Sequence, residues 1–143
     1  MTSRFEPDDP PSPRAVALSA NQCLDLLGSA GVGRIAWAAA DGPQILPVNY
    51  VIHEGLAYFR TSPDGLLAEL AEPRAVALEV DDLDHRSRTG WSVVVHGQAQ
   101  SVAAPQQVLR TWAAQISPWS PGDKGLLIQV TPVKMTGRMV SRV

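Results

Sequence analysis

Apolar positions change their period along the chain. Cys23, Leu24, Leu26 and Leu27 form one helical stripe. Ser19 followed three residues later by Gln22 has the spacing of a capping box, in which two side chains satisfy orphan N–H groups at a helix start. Gly28 and Gly31 are expected to stop this helix. From Val32 onward the pattern turns to alternation and short apolar runs. VGRIAWA and QILPVNYVI flank Ala40-Asp41-Gly42-Pro43, where Asp-Gly signals a hairpin. LAYFRT follows the Glu54-Gly55 turn, so three antiparallel strands come in succession. Leu66 to Ala71 reads as a short helix after Ser62-Pro63-Asp64-Gly65. RAVALEVDD alternates as a strand with Val76, Leu78 and Val80 on one face, and residues 83–90 form a polar loop.

The last third follows the same logic. WSVVVHGQAQSV is a long strand in which Gly97 marks a bulge or a close approach. Pro105 opens a helix running to Ile116, with Val108, Leu109, Trp112 and Ile116 on one face. LLIQVTPVKMTGRMV closes the chain as a strand interrupted near Pro132, because proline cannot donate within a ladder. Six or so strands joined by short turns, with three helices, argue a mainly β (α+β) fold. The antiparallel sheet closes on itself as a small barrel with helices packed at its ends. A doubly wound parallel sheet would need a crossover helix after nearly every strand.

Composition narrows the functional classes. The 143 residues suffice for one domain with a core of its own. Residues 1–14, with four prolines and adjacent aspartates, read as a flexible tail, leaving 15–143 as the domain. Lys plus Arg number 12 against 14 Asp plus Glu, so no electropositive surface for a nucleic-acid backbone is expected. The single cysteine, Cys23, leaves no internal disulfide and no cysteine-based zinc cluster; in its helical stripe it reads as a small buried hydrophobe. No apolar run approaches the roughly 20 residues of a membrane span, and no signal segment opens the chain, so a cytoplasmic protein is expected.

Candidate chemistry is sparse. His53, His85 and His96 lack metal-ligand spacing, and neither a nucleophile elbow, a dinucleotide fingerprint nor a phosphate loop is present. Glu79, Asp81, Asp82 and Asp84 read as a solvated strand edge without the spacing of a calcium loop. Two corners stand out. Arg60 and Thr61 end a strand at the mouth of a short helix, which suits a phosphate through a guanidinium fork and a hydroxyl. Trp91 and Ser92 place a ring and a hydroxyl at one barrel end, and Trp119 lies on a stiff loop between Pro118 and Pro121, where an indole can pack on a partner or a ring-shaped ligand.

Taken in order, LSANQCLDLLGSAGVGRIAW, ILPVNYVIHEGLAYFRT, ALEVDDLDHRSRTGWSVVVHGQA, PWSPGDKG and TPVKMTGR resemble the pyridoxamine-phosphate-oxidase-like, flavin-binding split-barrel family, in a short actinobacterial-type branch related to nitroimidazole-resistance proteins. The resemblance implies a six-stranded split barrel, with helices flanking it, and a homodimer with a ligand site at the subunit interface. It implies FMN as cofactor, with the deazaflavin coenzyme F-420 or no cofactor as alternatives, and hydride exchange with a small-molecule substrate. Neither nucleic acid nor membrane is an implied partner. Pro47, Val48, Asn49 and Tyr50 would run along the flavin ring, Arg60 and Thr61 would meet the phosphate, and Trp91, Ser92 and Trp119 would lie near the same ligand. Relatives commonly carry a hydroxyl residue and then a lysine where this chain has Gly65 and Leu66. Losing that ammonium removes a charge-assisted contact of about 1.5–3 kcal/mol, roughly ten- to hundredfold in affinity. The alternative is a non-catalytic ligand-binding dimer on the same scaffold.

Overall fold

The computed structural model describes residues 13–103 and 125–142. In chain order the elements are β1 (Pro13–Ala17), α1 (Ala20–Ser29), β2 (Val32–Ala39), β3 (Gly42–His53), β4 (Leu56–Thr61), a 3₁₀ helix (Leu66–Ala71), β5 (Arg74–Asp84), β6 (Thr89–Ser101) and β7 (Leu126–Arg142). The sheet runs β1-β7-β4-β3-β2-β5-β6, and a further β7–β6 pairing closes six of these strands into a ring. Every pairing is antiparallel. The expected six-stranded split barrel is therefore present. β1 is an added strand on the far half of β7, registered from Pro13–Arg142 to Ala17–Arg138. It begins at Pro13, two positions inside the stretch that sequence composition assigns to the tail.

Local chemistry explains most of the boundaries. Ser19 accepts from the Gln22 backbone N–H at 3.2 Å while the Gln22 side chain accepts from the Ser19 N–H at 2.8 Å, which is the expected capping box. Gly28 lies inside α1 and does not end it; the helix stops at Ser29, with Ala30 extended. The β3–β4 hairpin turns through Glu54 (φ 51°) and Gly55 (φ 78°), two left-handed residues whose twist matches the flanking strands. The β5–β6 connection is shorter than the polar loop expected, because Leu83, Asp84, Thr89 and Gly90 all pair in the ladder. Asp84 holds that turn by accepting from the Arg86 and Ser87 N–H groups, which keeps its carboxyl below the ordinary range.

Proline in the last strand is accommodated without a break. β7 is continuous over 17 residues, and the register against β6 shifts between His96 and Gly97, where Gly97 faces Pro132. A Cβ on Gly97 would lie 2.3 Å from the Thr131 carbonyl oxygen, so the close approach requires glycine.

The strands alternate between a sealed interior and an outer face. Ile35, Trp37, Val48, Tyr50, Phe59, Leu78, Val80, Val93, Val95, Ile128 and Val130 fill the ring. α1 covers one end through Cys23 and Leu27. Tyr50 donates its hydroxyl to the Leu27 carbonyl at 2.6 Å, and Cys23 faces Gly137, where an added Cβ would lie 2.7 Å from its sulfur. The 3₁₀ helix covers the other end, with Leu70 fully buried. Among the described residues no helix is long and apolar enough to cross a membrane. The helix expected from Pro105 to Ile116 and the loop bearing Trp119 lie outside the described residues.

Candidate functional site

Strand alternation sorts the site residues that the sequence suggests. On β3, Val48 and Tyr50 point into the barrel and are nearly fully buried, while Pro47 and Asn49 occupy the outer positions between them. Tyr50 is committed to the Leu27 carbonyl, and burial pushes its hydroxyl well above the ordinary tyrosine range. A ligand lying on the outer face therefore meets Pro47 and Asn49, not their two neighbours. Arg60 pairs with Leu127 of β7 and is half-buried on that same outer side, whereas Thr61 turns inward and is buried. Leu66 opens the 3₁₀ helix and is exposed.

The corner around Arg60 is held from behind. Trp37 donates its indole N–H to Glu69 of the 3₁₀ helix at 3.0 Å, and Arg74 donates to the same carboxylate oxygen at 3.4 Å. Arg74 also reaches the Ala38 carbonyl at 3.3 Å. These bonds tie the helix following the Ser62–Gly65 turn to β2 and β5.

Trp91 and Ser92 are separated by the same alternation. Trp91 packs against the barrel core, while Ser92 lies on the outer face opposite Arg138 of β7 and Asp81 of β5. Two adjoining cavities open there. One, of about 340 Å³, is bounded by Ser92, Val94, Thr136, Gly137 and Arg138. The other, of about 290 Å³, shares Ser92 and Arg138 and adds Glu79, Asp81 and the edge of Trp91. Arg60 pairs with Leu127 near the start of β7, whereas Arg138 lies eleven residues further along the same strand. The Arg60 corner and the Ser92 groove are thus well separated along β7 within one protomer.

Three charged residues beside that groove were not singled out as a group by sequence spacing. Arg34 of β2 lies 3.5 Å from Glu79 and 3.3 Å from Asp81. Glu79 and Asp81 are two apart on a strand and so share its outer face. That signal is in the sequence; the partnership with Arg34 appears only once β2 is registered against β5. Burial, a hydrogen bond with Asp81 and the Asp81 charge push the Glu79 carboxyl up to about 7, against the opposing pull of Arg34. Asp82 and Asp84 are exposed, as a solvated edge would be. No three His, Cys, Asp or Glu side chains converge on a metal-sized site among the described residues.

Comparison with known proteins gives this arrangement a family. The uncharacterized protein Rv0080 of Mycobacterium tuberculosis is 36% identical over 127 residues, covering 85% of this chain and 83% of that protein. The solved structure of an FAD-binding protein from Mycobacterium smegmatis is 30% identical with a TM-score of 0.69, covering 88% of this chain and 98% of the other. A Corynebacterium glutamicum protein named after pyridoxamine 5'-phosphate oxidase is 26% identical with a TM-score of 0.75, covering 95% and 97%. The family model for pyridoxamine 5'-phosphate oxidase matches residues 19–139, nearly the whole barrel, and the chain belongs to that family.

Proposed function

We propose that this protein binds a flavin nucleotide at a site completed between two copies of the chain, and that it serves as a flavin-dependent oxidoreductase. The observation that carries the reading is the outer face of β3 and β4. There Pro47 and Asn49 alternate outward beside Arg60, in a chain 30% identical to an FAD-binding protein along nearly its full length. Arg60 is the only guanidinium or ammonium in β3 and β4. Its fork suits a phosphate oxygen, and the Asn49 amide offers both a donor and an acceptor to a heteroaromatic edge. The groove at Ser92 and Arg138 lies far along β7 from the Arg60 corner, and in this reading a second protomer brings it to the same ligand. A two-fold dimer meets that need, because an isologous interface brings each patch to its counterpart twice.

That the β3–β4 face carries one such cation also bears on which flavin is held. A phosphate monoester, as in FMN, concentrates about −1.5 to −2 charges on one group at neutral pH. The diphosphate of FAD spreads its charge over two linked groups, and its adenosine adds contact area elsewhere. With leucine at position 66, FAD is the better match, and FMN is the form that loses most from the missing ammonium. A bound flavin supplies hydride exchange at its N5. The chain's part is to hold the phosphate at Arg60, seat the ring on the β3 outer face and bring the partner's groove over it.

Titration of purified protein with FAD and with FMN tests this, followed by flavin fluorescence and by the thermal midpoint. FAD is expected to raise the midpoint and to bind at least about tenfold more tightly than FMN. If neither flavin changes fluorescence or midpoint, the reading is wrong. If both bind alike, the preference for FAD is.

A further inference from the structure

Arg34, Glu79 and Asp81 meet where the ring is least tied. β2 and β5 pair only from Arg34–Glu79 to Ala36–Ala77, whereas β5 pairs with β6 along its whole length. The two backbones are crowded just beside this short ladder. A Cβ on Gly33 would lie 3.0 Å from the Glu79 carbonyl oxygen and from the side chains of Leu78 and Val80.

At this seam one guanidinium serves two carboxylates. Arg34 Nη1 lies 3.5 Å from Glu79 Oε1 and 3.3 Å from Asp81 Oδ2. The surrounding elements add little at contact range. β3 places Pro47 opposite Arg34 and carries no charge on its outer positions beside the trio. β6 places Val94 opposite Glu79 and Ser92 opposite Asp81. Arg138 of β7 borders the same cavity, one strand beyond Ser92, while His96 and Lys134 pair with each other one row further along. Two half-buried carboxylates with one cation in contact carry an excess negative charge, and a proton on Glu79 relieves it.

We propose that Glu79 carries a proton beside Asp81 and, with Arg34, forms a proton-operated latch on the β2–β5 seam. With the proton in place the trio is neutral overall and the seam is tight. Once the proton leaves, one negative charge is uncompensated and the seam loosens. The position of the switch follows from the upward push on Glu79 to about 7. A carboxyl whose folded pKa lies above its unfolded value contributes stability that is complete below the unfolded pKa and is lost as pH rises through the folded one. The latch is therefore closed near pH 6 and open near pH 8. Both carboxylates also border the cavity beside Trp91 and Ser92, so one wall of the groove gains a negative charge over the same interval.

The test needs no flavin. Carboxyl groups are titrated by carbon-13 NMR, and amide hydrogen exchange is followed from pH 6 to 8 after correction for base catalysis. One carboxyl is expected to titrate within about one unit of 7, far from an ordinary glutamate. Exchange at residues 34–36 should accelerate severalfold relative to amides in the middle of β6. Glu79→Gln, neutral at every pH and nearly the same shape, should remove that acceleration. Asp81→Asn should return the Glu79 midpoint toward the ordinary range. A parent protein whose carboxyls all titrate below about 5.5 overturns the proposal whatever the variants do. So does a Glu79→Gln variant with unchanged pH dependence at the seam, or a Glu79 midpoint indifferent to Asp81→Asn.

Discussion

Trp37 and Glu69 are joined by a hydrogen bond of 3.0 Å that links the interior of β2 to the 3₁₀ helix behind the Arg60 corner. The indole is almost fully buried, so its N–H has no water to fall back on. Glu69→Ala should cost about 1–3 kcal/mol, the penalty of an unsatisfied buried donor. Glu69→Gln keeps an acceptor and should lose less. Urea unfolding of the two variants, followed by Trp fluorescence, checks the order; equal losses would mean that the acceptor is not what Trp37 requires.

Gly97 offers a harder steric test. Because an added Cβ would lie 2.3 Å from the Thr131 carbonyl oxygen, backbone must move to admit Ala. Gly97→Ala should destabilise by more than about 2 kcal/mol and lower the denaturant midpoint without abolishing the fold. Gly28→Ala, inside α1 with open space at its Cβ position, should instead be neutral or stabilising. If the two glycines responded alike in urea melts, the close approach at Gly97 would not be what constrains this part of the ladder.

These cases also show what was legible in the sequence. The capping box, the hairpins and the glycine at position 97 are signalled within a few residues, by chemistry local to the backbone, and they are found where expected. β1 was not, because PRAVA is short and becomes a strand only by pairing with the far end of β7. Pro132 misled for the same reason. It forbids a regular ladder position, but a register shift opposite Gly97 lets the strand continue. The candidate site was half legible. Runs such as Pro47–Tyr50 and Trp91–Ser92 name neighbours in sequence, whereas strand period sends adjacent side chains to opposite faces. Arg34 with Glu79 and Asp81 needed the cross-strand register, which no local pattern encodes.

Glu54 sits at φ 51°, a left-handed conformation that costs most residues about 1–2 kcal/mol. Asparagine tolerates it better in a hairpin of this kind. Glu54→Asn should therefore stabilise by about 0.5–1 kcal/mol, raising the thermal midpoint by a few degrees. The contact it gives up, 3.9 Å from the largely exposed Glu54 carboxylate to a half-buried His53, contributes little. Calorimetry decides, and a lowered midpoint would assign Glu54 a role beyond the turn.

Tyr50 should respond to both truncation and alkali. Tyr50→Phe removes the 2.6 Å bond to the Leu27 carbonyl and should cost about 1–2 kcal/mol at neutral pH. Burial raises the Tyr50 hydroxyl, so its contribution is complete below the ordinary tyrosine pKa and is lost as pH climbs above it. The stability gap between parent and variant should consequently narrow above pH of about 10. Urea unfolding at neutral and alkaline pH measures it; a gap that widens would show that the hydroxyl is ionised in the fold.

Arg60 and Leu66 together set the strength of flavin binding under the proposed function. Arg60→Ala removes the only guanidinium or ammonium of β3 and β4 and should weaken FAD and FMN alike by more than about tenfold, a charge-assisted bond being lost in each case. Leu66→Lys should act selectively. Leu66 is 43% exposed at the start of the 3₁₀ helix that follows the Arg60 strand, so a lysine there is tolerated and adds an ammonium to that segment. The gain should be larger for FMN, whose monoester concentrates its charge, than for FAD, and the preference between the two should shrink or reverse. Calorimetric titration of both flavins into parent and both variants reads this directly. An unchanged FMN affinity in Leu66→Lys would show that position 66 does not govern the phosphate site, and an unchanged affinity in Arg60→Ala would move that site away from this corner.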